Sequence, residues 1–182
     1  TAHLYVGGVE FETPITFAVV AGSTEYTLTG NGTSITQLGA DGGKSLTVKI
    51  IDAVGNASAA SATSNITKDT VAPTFAAVAL GPDEYVNAAD TVAGVNIVIT
   101  TTGLEDGRTV SCTITDTGAG SVGPVTGAVT SNAVTIASGA LTALANGTIT
   151  VTCSVSDAAG NPAVNGIDTA TKDAVAPDAP VI

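Results

Sequence analysis

Sixteen acidic residues, five Lys and Arg, two cysteines and one histidine make up most of the chemistry that these 182 residues can offer. Calcium needs several hard oxygen ligands gathered from more than one segment, and the acids fall into groups that suit it. One group holds Asp52 and Asn56 in an Asp-x-x-Gly-Asn turn, Asp69 ahead of Val-Ala-Pro, and Asp83, Glu84, Asn87 and Asp90 shortly after. A second group has Asp157, Asn161, Asp173 and Asp178 in the corresponding places. Turn chemistry competes with metal binding, because Asp, Asn and Gly also accept φ > 0 and cap their own backbone. Lys68 and Lys172 adjoin Asp69 and Asp173 and offer salt-bridge partners instead.

Cys112 and Cys153 fall on the inward parity of their segments, one early and one late in the same unit. Such strands face one another across an immunoglobulin sandwich, and a disulfide between them is expected, with two buried free thiols as the alternative. Acid–base catalysis needs a group that titrates near the working pH, and His3 is the only histidine. The adjacent carboxylates Asp83-Glu84 and Glu105-Asp106 point to opposite faces of an extended chain and cannot share a substrate. Nor does any Gly-x-Ser-x-Gly elbow accompany the many Ser and Thr. A non-enzyme is expected.

The net charge of −11, with no basic stripe, excludes nucleic acid as a partner. No apolar run approaches the ~18 residues that a membrane-spanning helix needs. Four N-x-S/T matches begin at Asn31, Asn56, Asn65 and Asn146, a pattern that a Thr-rich chain produces easily. Glycan-binding surfaces use aromatic platforms, and a chain with no Trp and only Tyr5, Tyr26 and Tyr85 has few to offer.

What must position these residues is a repeat. Residues 46–56 (LTVKIIDAVGN) match residues 151–161 (VTCSVSDAAGN), an offset of 105 from Asp52 to Asp157. Residues 68–73 (KDTVAP) match residues 172–177 (KDAVAP), an offset of 104 from Asp69 to Asp173. A unit near 104 residues is the size of one β-sandwich. Within it, apolar residues alternate at Ile97 and Ile99, at Val110, Cys112 and Ile114, at Val134 and Ile136, and from Ile149 through Val151 and Cys153 to Val155. Period-2 alternation gives each strand one buried face. Turns are expected at residues 103–107, at the glycine-rich residues 118–127 and at Asn146-Gly147, the last a hairpin dipeptide.

The expected fold class is all-β: tandem immunoglobulin-like Greek-key β-sandwiches, end to end. Residues 1–70 are expected to be a partial sandwich lacking its first strands, residues 71–174 a complete one, and residues 175–182 the start of a following repeat or a linker. The chain, with no Met and no signal-like start, reads as a fragment.

The blocks DAVGN–KDTVAP and DAAGN–KDAVAP resemble the bacterial immunoglobulin-like repeats of giant secreted adhesins and biofilm-associated surface proteins, and residues 82–90 (PDEYVNAAD) are similar to the acidic opening of one such repeat class. The resemblance implies an extracellular, cell-surface extender whose acidic joints bind calcium and hold neighbouring repeats of the same chain rigid. It departs from the family in having two cysteines, and in a first unit without the acidic opening. Two other functions remain open: a filament or pilus subunit completed by a strand from a like subunit, and a ligand- or glycan-binding adhesin module.

Overall fold

In the computed structural model, residues 2–10 and 38–181 are described. Tyr26 and Asn31 lie outside them. The chain divides into two compact units, Thr1–Thr70 and Val71–Ile182.

In the first unit the described strands are β1 (Ala2–Val6), β2 (Val9–Glu10), β3 (Gly42–Ile50) and β4 (Ser64–Lys68), which form one antiparallel sheet in the order β2-β1-β3-β4. Ala2 and Leu4, two residues apart, are buried on one face. Leu4 pairs with Val48, and Gly42 pairs with Lys68. Ile50 therefore lies at the opposite end of the sheet from Lys68, and nine residues of β3 put about 27 Å between those ends.

The second unit contains β5 (Thr74–Leu80), β6 (Tyr85–Val86), the short helix α1 (Ala88–Ala93), β7 (Asn96–Thr102), β8 (Thr109–Asp116), β9 (Ser121–Ala128), β10 (Ala133–Ala137), β11 (Gly147–Ser154) and β12 (Gly166–Lys172). Three strands form one sheet, β10-β7-β5, and five form the other, β6-β12-β11-β8-β9. Each sheet buries one side chain in two: Ile97, Ile99 and Ile136 from the first meet Val110, Cys112, Ile114, Ile149, Val151 and Cys153 from the second. Stiff β-branched side chains on both inner faces make this the core of a sandwich. The expected alternation is met, with Val134 only partly buried at its edge.

Two turns differ from expectation. Residues 121–128 are strand β9 rather than part of a glycine-rich loop. Asn146-Gly147 makes no hairpin, because β10 and β11 belong to different sheets and the chain crosses between them there. The two-residue turn is instead Ser131-Asn132, with both residues at positive φ and Thr130 bridged to Ala133.

The register also orients the unit. Thr74 pairs with Thr102, while Leu80 pairs with Ile97, so the chain arrives at the end that carries the β7–β8 and β11–β12 loops. We call this end proximal. Lys172 pairs with Gly147 and with Val86 at the distal end, where the chain leaves.

Candidate functional site

The two Asp-x-x-Gly-Asn segments fold into the same closed turn. In the first, the Asp52 carboxylate accepts from the Asn56 backbone N–H at 2.8 Å and from its side-chain amide at 2.9 Å. In the second, Asp157 accepts from the same two groups of Asn161 at 2.7 and 2.8 Å. Gly55 and Gly160 both stand at φ +95, where an L side chain is strained, which explains the glycine between Asp and Asn. The Asn56 bonds, with Val54 and Gly55 N–H, hold the Asp52 carboxyl below its ordinary range. Burial raises the Asp157 carboxyl, at 1% exposure, but the Asn161 and Gly160 bonds outweigh it and leave the group below that range. Both carboxylates are occupied by their own turns.

A second shared feature ties the end of each final strand to the loop before its neighbour. The Lys68 amine donates to the Gly39 carbonyl, and the Lys172 amine, buried, donates to the Leu144 carbonyl. Thr70 N–H donates to Asp41 at 2.8 Å, and Ala174 N–H donates to the Asn146 side chain at 3.3 Å. The Thr70 bonds depress the Asp41 carboxyl, with Lys68 at 3.6 Å assisting. The lysines therefore clip strand ends. Asp41 and Asn146 stand at the repeat offset of 105, a signal the sequence carries in an acid matched by an amide.

Asp116 is another carboxylate that sequence reasoning misses. It accepts from Ala145 N–H at 2.7 Å, and from Gly118 and Gly120 N–H at 2.8 and 3.0 Å, binding the β8–β9 turn to the loop ahead of β11. The Ala145 bond leads in holding its carboxyl below the ordinary range, and the nearby Lys172 charge adds to this.

Cys112 and Cys153 form a disulfide. It lies within one sheet instead of crossing the sandwich as expected, because β8 and β11 are neighbours and the two cysteines are direct partners in their register. Their Cα atoms are 4.1 Å apart, the close spacing of a pair whose backbones do not bond each other.

Within each unit, acids on either side of a strand lie at opposite ends. Asp52 and Asn56 follow β3 at the end of the first unit away from Asp69, which follows β4. Asp157 and Asn161 lie at the proximal end of the second unit, and Asp173 at its distal end. Asp83, Glu84, Asn87 and Asp90 lie in the β5–β7 connection, also distal, and so away from the end where the chain arrives from Asp69. A strand carries the chain the length of the unit, and acids that flank it are parted.

The distal acids are largely engaged. Asp83 accepts from Tyr85 N–H at 3.0 Å, and Asp173 from Val175 N–H at 3.0 Å. Asp90 completes a capping box with Asn87 at the start of α1. Asp178 lies exposed in the terminal segment without regular structure. Among the described residues no three Asp, Glu, His or Cys side chains converge as a metal site. His3 Nδ1 lies 2.5 Å from the Glu10 carboxylate, a hydrogen bond across β1 and β2.

Fold and site together define a β-sandwich repeat module whose acids close turns and fasten strand ends. No family model and no curated protein matches the chain. Among solved structures it is similar to a tetra-tandem repeat in the extending region of a large adhesion protein, with 26% identity and a TM-score of 0.50 over 74% of this chain and 32% of that one. A Ca2+-stabilized adhesin with which an Antarctic bacterium binds ice matches at 24% identity and TM-score 0.42, over 97% of this chain and 40% of that one. A 1.5-MDa bacterial ice-binding adhesin matches at 22% and 0.39, over 95% and 52%. The chain spans about a third to a half of these structures. Its likeness is to repeat modules of large adhesins. Among the described residues no helix is long and apolar enough to cross a membrane.

Proposed function

We propose that this chain is a non-catalytic extender segment of a secreted cell-surface protein, in which each sandwich is one link of a stalk. The observation that carries this reading is the polarity of the second unit: the chain arrives at its proximal end and leaves at its distal end. Repeats joined in that manner add their lengths instead of folding back. The likeness to a repeat from an adhesin's extending region supports the same reading.

Calcium belongs to this proposal at the joints between successive repeats. Its support is electrostatic. The distal end of the second unit carries Asp83, Glu84, Asp90 and Asp173, and the proximal end carries Glu105, Asp106 and Asp157. Head-to-tail stacking brings such ends together, and a divalent cation relieves the repulsion between them. Asp69, Asp178 and Glu84 are the proposed ligands. Small-angle scattering of the chain with and without calcium tests the reading: an elongated monomer that stiffens with calcium supports it. Concentration-dependent polymers would favour a strand-complemented filament and overturn it, as would a compact globule.

A further inference from the structure

We infer that the second unit bears tensile load through a clamp formed by β6, the end of β5 and β12, with Asp168 as its side-chain bond. The inference rests on the extender reading for its purpose and on the topology of this unit for its mechanism. Tension on a stalk reaches this unit at Thr74, the start of β5, and at Lys172, the end of β12. Those two points lie at opposite ends.

The strands that receive the load run in the same direction and are bonded to each other. β6 pairs with β12 in parallel, through Thr171 N–H to the Glu84 carbonyl at 2.8 Å and Asp173 N–H to the Val86 carbonyl at 2.9 Å. Further along, the Asp168 carboxylate on β12 accepts from Leu80 N–H at the end of β5, at 2.8 Å. Apolar packing supports these bonds: a Cβ on Gly166 would come within 2.6 Å of Val78 and 2.7 Å of the Phe75 ring, so β12 lies directly against β5 there.

Pulling the ends apart draws β5 and β6 toward the proximal side and β12 toward the distal side. The bonds between them lie across that motion and are sheared together. In a strand peeled from one end, they would break one at a time. A set that must break together raises the barrier to unfolding and lengthens life under load. Asp168 contributes a charge-assisted bond, stronger than a neutral one.

The Cys112–Cys153 disulfide supplies the means of recognising this unit in a pulling record. It encloses 41 residues of sequence separation that cannot extend while it is intact, and both cysteines of the chain are in it. Unfolding of the oxidised second unit therefore releases about 140 Å less chain than unfolding of the reduced one.

The test is single-molecule pulling of the whole chain. With handles at the two termini, the event that shortens by about 140 Å on oxidation is expected to be long-lived at constant force, and Asp168→Ala to shorten its lifetime about tenfold. With handles at Val71 and Ala159, both proximal, the wild-type unit is expected to open at markedly lower force. Equal forces in the two geometries would overturn the clamp, and this comparison needs no variant to fold. An unchanged lifetime in Asp168→Ala would remove Asp168 from it. The scattering experiment judges the extender reading separately, since a unit can resist shear without belonging to a stalk.

Discussion

Cys112 and Cys153 face each other across β8 and β11 at the position where Leu4 and Val48 face each other across β1 and β3. The second unit has a covalent bond where the first has an apolar pair. Closing 41 residues is worth roughly 4 kcal/mol by chain-entropy reasoning. Reduction is therefore expected to lower the second unit's stability by about that amount while leaving it folded, as followed by urea denaturation with and without reductant. Loss of structure on reduction alone would show the bond to be required for folding.

The Asp-x-x-Gly-Asn turns are expected to work without metal. Asp52→Ala and Asp157→Ala each remove an acceptor of two Asn bonds. Both should lower the melting temperature of their unit equally in calcium and in EDTA. If the cost of either substitution disappears in EDTA, the carboxylate is a calcium ligand after all.

Joint calcium makes the opposite demand on other acids. The wild-type chain should melt higher in millimolar calcium than in EDTA, and that difference should shrink in Asp69→Asn. Equal melting temperatures in calcium and EDTA would exclude the joint site.

Acid should weaken the fold. The Asp41, Asp52, Asp116 and Asp157 carboxyls are all held below their unfolded values. Their contribution is thus present above about pH 4 and is lost as pH falls through their folded values. Protonating a chain of net charge −11 also relieves repulsion, which acts the other way. The difference between wild type and Asp116→Asn isolates one carboxylate: urea midpoints at pH 7 and pH 2.5 should lie further apart in the wild type.

Gly94 has no room for a side chain. It stands at φ +80, and an added Cβ would lie 2.3 Å from the Gly139 carbonyl oxygen. Gly94→Ala is expected to cost about 3 kcal/mol, with backbone strain and a clash acting together. Gly139→Ala, at φ +70 in open space, should cost about 1 kcal/mol. Chemical denaturation of the two variants checks the order.

Local pattern made much of this molecule legible from its sequence. Ile97, Ile99, Val110, Cys112, Ile114, Ile149, Val151 and Cys153 alternate because a strand turns every second side chain inward, and all eight are buried. The matched turns at Asp52 and Asp157 repeat in geometry because the bonds that close them span only four residues. Ala145, Thr70 and Leu80, which donate to Asp116, Asp41 and Asp168, lie 29, 29 and 88 residues from them, beyond the reach of local pattern.

Which acids share an end of a unit, and which strands share a sheet, were decided by tertiary structure. Asp157 and Asp173 are close in sequence, but β12 runs between them and parts them to opposite ends. The cysteines alternate inward on either of two possible sheets, and only strand order made β8 and β11 neighbours. Alternation fixes the face of a residue, whereas its neighbours depend on where the chain turns and which edges pair, and those are settled by packing over the whole unit.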